Sequence, residues 1–191
     1  MKIQTSTLAA LILCSSLSTS SAALTDLAFQ EVDIDNGIIT FVNNGPDSID
    51  ITSTQLCSRF SYTAVTAGMV TSGSLNMTSG ATVSLSWATI SSGAGRDLGV
   101  YSPGGSFGSP TAMIDFVQWG SAGNGRETVA VAKGIWTSAD FIDLSQVTDN
   151  VLTYNGGDRD SSSGWVVVPE PSSALLLGFA GALMALTRRR A

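Results

Sequence analysis

Histidine is absent from the chain, and only two of its 191 residues are cysteine. Without an imidazole, one copy of the chain cannot build a Ser-His-Asp or Cys-His catalytic group, nor a histidine-ligated zinc or copper site. Cys14 falls in an apolar N-terminal stretch, so the part that follows has Cys57 alone and no intrachain disulfide. A lone cysteine of this kind reads as a small buried hydrophobe. Charge is scarce too, at 13% of residues against roughly 25% in an average soluble domain. Lysine occurs only at positions 2 and 133. Helical periodicity is missing over any long stretch of the middle of the chain.

Hydrophobic residues make up 43% of the chain and the mean hydropathy is +0.26. Two apolar ends around a polar middle account for that average. Setting aside Lys2, Arg188, Arg189, Arg190 and Glu170 leaves five basic and fourteen acidic residues, a net charge of about −9 for residues 24–168. Such a balance argues against nucleic acid as a partner, because phosphate recognition needs clustered Lys and Arg. The length of the middle part suits one domain and excludes a multidomain enzyme or a polytopic transporter.

Residues 1–23 combine Lys2, an apolar run over 8–13 and small residues up to Ala22 and Ala23. That is the pattern of a cleaved signal helix handled by the Sec export machinery, with cleavage expected after Ala22 or Ala23. Residues 169–191 hold an apolar run over 174–186 followed by three arginines. About 15 helical residues at 1.5 Å rise span roughly 23 Å, short of a bilayer core of about 30 Å, and snorkelling arginines can close the gap. The basic cluster is expected on the cytoplasmic side of the inner membrane. Pro169 and Pro171 keep this transmembrane helix from running into the preceding domain.

The triplet Pro169-Glu170-Pro171 after Val168, the apolar segment and Arg188, Arg189 and Arg190 resemble, in order, the PEP-CTERM sorting signal of Gram-negative exosortase systems. The resemblance implies a transient inner-membrane anchor, cutting near the triplet by an exosortase, and transfer to the cell surface or the exopolysaccharide matrix.

Between the ends the pattern is all-β. The stretch 81–87 alternates, with Val83, Leu85 and Trp87 on one face and Thr82, Ser84 and Ser86 on the other. Strands over 28–35 and 38–43 flank Asn36-Gly37, a pair suited to a type I′ hairpin turn. The apolar phase shifts from Leu27 and Phe29 to Val32 and Ile34, which predicts a bulge near Gln30. Further strands are expected over 48–52, 55–60, 98–101, 112–119, 127–132, 151–154 and 165–168, with one helical turn over 137–141. Many short strands with turn punctuation argue for an antiparallel β-sandwich over 24–155, followed by a final loop and strand or spacer over 156–168. The phrases Glu31-Val32-Asp33, Ile39-Thr40-Phe41-Val42-Asn43-Asn44-Gly45, Ile49-Asp50-Ile51 with Leu56, and Met113-Ile114-Asp115-Phe116-Val117-Gln118-Trp119-Gly120 resemble the bacterial lamin-tail domain family. That resemblance implies an immunoglobulin-like sandwich acting as an extracellular scaffold or interaction module, with no catalytic residues to carry over.

Candidate chemistry is thin. Gly104-Gly105-Ser106-Phe107-Gly108 matches the nucleophile-elbow pattern, but without histidine it reads as a glycine-rich loop. Asp33 and Asp35 before Gly37, and Asp158 and Asp160 after Gly157, offer oxygens to calcium, although neither loop has the glutamate of an EF-hand. Asp115, between Ile114 and Phe116, is expected to face opposite them, toward solvent or a hydrogen-bond partner. Trp87, Trp119 and Trp136 read as core, while an aromatic platform including Trp165 would suit sugar. The sequence thus points to an exported, non-enzymatic structural or adhesive protein with no cofactor. The alternative is a calcium-dependent or carbohydrate-binding extracellular module.

Overall fold

The structure is a computed structural model that describes residues 24–90, 96–145 and 150–168. The signal and sorting residues Ala22, Ala23, Pro169, Glu170, Pro171, Arg188, Arg189 and Arg190 lie outside the described residues, as do the helices expected there.

The chain enters through a 3-10 turn, Leu24–Asp26, and then forms β1 (Leu27–Asp33) and β2 (Ile38–Asn43). Two short strands follow, β3 (Ile49–Asp50) and β4 (Gln55–Ser58), then β5 (Ser61–Ala64), β6 (Val70–Ser72), β7 (Asn76–Met77) and β8 (Thr82–Ser86). The remainder is β9 (Arg96–Tyr101), β10 (Met113–Trp119), α1 (Glu127–Lys133), β11 (Val151–Tyr154) and β12 (Trp165–Val168). All ladders are antiparallel. A six-stranded sheet runs β12-β11-β1-β2-β8-β6, a four-stranded sheet runs β10-β9-β4-β5, and β3 pairs with β7.

Both large sheets contribute to one apolar cluster. Phe29, Phe41, Val83 and Leu85 enter it from the first sheet, and Leu56, Leu98, Val100 and Phe116 from the second. Phe29 and Phe41 are cross-strand partners with their rings stacked 4.9 Å apart. Strand β8 shows the alternation expected of a half-buried strand, Val83 and Leu85 in and Thr82 and Ser86 out. Trp87, expected on the same inward face, follows the end of β8 and is only half-buried. Trp119, Trp136 and Trp165 are buried.

The expected bulge is present. The β1–β2 register shifts between Phe29 and Glu31, leaving Gln30 unpaired and turning Val32 and Ile34 inward. The turn that follows is not type I′, which needs positive φ at both central residues: Gly37 has it, at 66°, and Asn36 does not. Residues 34–37 form a longer loop instead. The Asp33 carboxylate accepts hydrogen bonds from the Asn36 backbone N–H (2.9 Å) and side-chain N–H (2.8 Å), and so organises the turn.

The strand expected over 127–132 is a helix. In Thr128-Val129-Ala130-Val131 three of four residues are β-branched, which imitates a strand. Chain-end chemistry decides otherwise. Glu127 lies in the first turn and Lys133 in the last, matching the helix dipole. Gly134 takes a left-handed φ of 80°, and the N–H groups of Gly134 and Ile135 close on the carbonyls of Val131 and Ala130, a Schellman ending. The segment 137–141 makes a turn rather than a helix. Ile142 bridges to Trp119 and covers the outer edge of β10, whose seven residues are all buried.

The final loop and strand expected over 156–168 contains β12. Strand β12 pairs along its whole length with β11, and Trp165 packs edge-to-face on Tyr154.

Candidate functional site

An open cleft of about 490 Å³ lies where the two large sheets meet. Leu27, Ala28 and Ile114 give it an apolar wall, and Asp26, Asp115, Asp158 and Asp160 give it acid, with Arg159 among them. These residues come from the opening 3-10 turn, the start of β1, the bulged start of β10 and the loop between β11 and β12.

Asp115 is the buried centre of this arrangement. The β10–β9 register shifts between Met113 and Asp115, so β10 also carries a bulge, at Ile114. The extra residue changes the phase of the strand. Asp115, expected opposite Ile114 and open to solvent or a partner, is buried together with it and has found the partner. One carboxylate oxygen accepts the Phe29 backbone N–H at 2.7 Å, and the other accepts that of Phe116 at 2.9 Å. Phe29 precedes the unpaired Gln30, so its peptide groups lie where the ladder is interrupted. The carbonyl of Phe29 is satisfied as well, by Arg159 Nη1 at 2.8 Å. Arg159 lies 3.7 Å from the Asp115 carboxylate, and its guanidinium stacks over the Tyr154 ring at 3.7 Å. Burial pushes the Asp115 carboxyl above the usual aspartate range, against the opposing pull of the Phe29 and Phe116 N–H groups and Arg159.

The cleft offers hydrogen-bond acceptors. Its carboxylates accept hydrogen bonds from hydroxyl or ammonium donors. Both oxygens of Asp115 are already engaged by backbone N–H groups.

The four aspartates singled out for calcium separate into two places. Asp33 caps its own turn, and Asp35 accepts from the backbone and side-chain N–H groups of Asn150, at 3.2 and 3.0 Å. Asp158 and Asp160 line the cleft. Among the described residues no group of three or more His, Cys, Asp or Glu is arranged to hold a metal ion. The glycine-rich loop around Ser106 is a run of turns between β9 and β10, and its Phe107 packs on Tyr62 and Tyr101. Cys57 is a buried free thiol. No sequence signal marks Arg159 or Asp26 as a site residue. Their places in the cleft depend on loops that meet across the fold, which local pattern does not reveal. Compared with family models, curated proteins and solved structures, the chain matches none.

Proposed function

We propose that the chain is an exported, non-enzymatic protein of the cell surface or extracellular matrix, sorted by an exosortase through its C-terminal signal and serving a structural or adhesive role. The observation that carries this reading is the order of segments in the sequence: a leader-like stretch over 1–23, a polar β-rich domain, then Pro169-Glu170-Pro171, an apolar run over 174–186 and Arg188, Arg189 and Arg190. On this reading the two antiparallel sheets form an immunoglobulin-like sandwich of the lamin-tail kind, and their shared apolar cluster supports that assignment. The occupied state of the buried carboxylates supports a role without catalysis.

Replacement of Pro169, Glu170 and Pro171 by alanine tests the sorting step. Fractionation of tagged protein is expected to place the variant in the inner membrane and the wild type outside it. Normal release of the variant refutes sorting through the triplet. Carbohydrate binding keeps one specific support as a second reading: Phe60 and Tyr62 are exposed, although the tryptophans are not.

A further inference from the structure

The β4–β5 hairpin closes from Ser58 to Ser61 through two residues, Arg59 and Phe60, with φ of 44° and 66°. Both are left-handed, the geometry of a type I′ turn, which ordinarily selects Asn-Gly. Bulky side chains are disfavoured there because Cβ crowds the backbone. Asp97 holds the turn in place. Fully buried, it accepts the Arg59 N–H through one oxygen and the Arg126 N–H through the other, each at 2.7 Å. Gly125 lies so close that a Cβ on it would come within 2.5 Å of the Asp97 carboxylate.

The pinned turn presents Phe60, 58% exposed, and Tyr62, 45% exposed. Behind them runs a continuous stack. Tyr101 meets Phe107 at 4.9 Å, and Phe107 meets Tyr62 at 4.1 Å. The Tyr62 hydroxyl accepts from Arg126 Nη2 at 2.6 Å, and the Arg126 guanidinium sits 4.9 Å from the centre of the Phe60 ring. Charge is concentrated here as well. Arg59, Arg96 and Arg126 are three of the five basic residues in a stretch of net charge about −9, and Asp97 beside them is buried.

We propose that this corner binds an anionic polysaccharide built of uronate residues. A uronate ring carries a flat C–H face and a carboxylate on one unit. The face stacks on Phe60 and Tyr62, and the carboxylate meets the Arg126 guanidinium, whose planar fork matches it. An acidic peptide supplies the charge without the face. The inference rests on the reading of the chain as an extracellular binding module and gives that module its ligand class. Strain at Arg59 and Phe60 fits the same account, since disfavoured backbone held by its surroundings concentrates where a surface is pre-organised for binding.

The test is affinity electrophoresis of the purified full chain in detergent, through gels containing polygalacturonate, neutral dextran or polyglutamate. Polygalacturonate is expected to retard the chain at least tenfold more strongly than the other two. Phe60→Gly removes the ring while suiting the left-handed turn. It is expected to lose at least tenfold in binding with its thermal midpoint unchanged or raised, and Arg126→Gln to lose binding to a similar degree. Equal retardation by polyglutamate overturns the proposal in favour of an acidic protein partner, and wild-type binding by Phe60→Gly overturns it outright. Binding is read on purified protein and sorting on cell fractions, so failure of one does not mimic failure of the other.

Discussion

Replacing Asp115 by alanine removes the acceptor that the β1 bulge depends on. The Phe29 N–H, now 2.7 Å from the carboxylate, would be left buried beside an apolar methyl group. An orphaned buried donor costs about 1–3 kcal/mol. The Arg159 pair adds about 0–1 kcal/mol, since the Arg159 side chain is 28% exposed and screened by water. One term opposes these. Burial already penalises the Asp115 carboxylate, as its raised pKa records, and alanine relieves that penalty. The net expectation is a loss of about 2 kcal/mol, a sizeable share of the 5–15 kcal/mol typical of a domain. Asp115→Asn keeps one oxygen for Phe29 and should lose less. Urea unfolding followed by tryptophan fluorescence measures both, because Trp119, Trp136 and Trp165 are buried in the native state. A midpoint for Asp115→Ala within error of the wild type refutes the idea that the carboxylate pins the bulge.

Asp97 and Asp115 are both held above the ordinary aspartate value of 3.8, chiefly by burial, so each binds its proton more tightly in the folded chain than in the unfolded one. Their contribution is therefore full below about 3.8 and lost as pH rises through their folded values, and the thermal midpoint should rise as the buffer is taken from about pH 7 to about pH 5. Burial alone would raise Glu127 too, but the donors Gln118, Ala139 and Gly123 hold it below 4.5, so its opposing loss falls in more acid buffer. A midpoint that falls steadily over that range, or a slope unchanged in Asp97→Asn, contradicts the assignment. Burial likewise pushes the Cys57 thiol up, and the native chain should resist a disulfide-exchange reagent at neutral pH until urea unfolds it; prompt labelling of the native chain would show the thiol to be accessible.

Period-two pattern carried much of the fold. The alternation over 81–87 became β8, the run over 165–168 became β12, and a phase slip of one residue located the Gln30 bulge. These features are local, so a local pattern records them. Errors fell where hydrogen bonds outside the period-two pattern decide. Asn36-Gly37 has the composition of a type I′ turn, yet Asp33 and the loop length shape it otherwise. Arg59-Phe60 has the wrong composition and makes that turn, because a carboxylate 38 residues away accepts the Arg59 N–H. The 127–132 stretch is rich in β-branched residues like a strand, while its ending at Gly134 makes it a helix. Asp115 was visible as an acid in an apolar run. Its partner was not, being a backbone N–H 86 residues distant.

The three most buried acids share one task, and it changes the meaning of the acidic composition. Asp97 accepts from Arg59 and Arg126 at the hairpin tip, and Asp115 accepts from Phe29 and Phe116 at the facing bulges. Glu127 accepts from Gly123 and from Ala139, another residue with a left-handed φ, 61°. Each stands where regular pairing stops and a buried N–H would otherwise lack an acceptor. With no histidine in the chain, and no disulfide or long helix among the described residues, there are few means of fixing irregular backbone, and buried carboxylates are well suited because each oxygen can accept a separate peptide N–H. Asp97, the acid at the hairpin corner, is fully buried and turned to the backbone rather than to a ligand. Recognition there falls to the guanidinium of Arg126 and the rings of Phe60 and Tyr62, which is why the corner suits an anion although the domain as a whole is acidic.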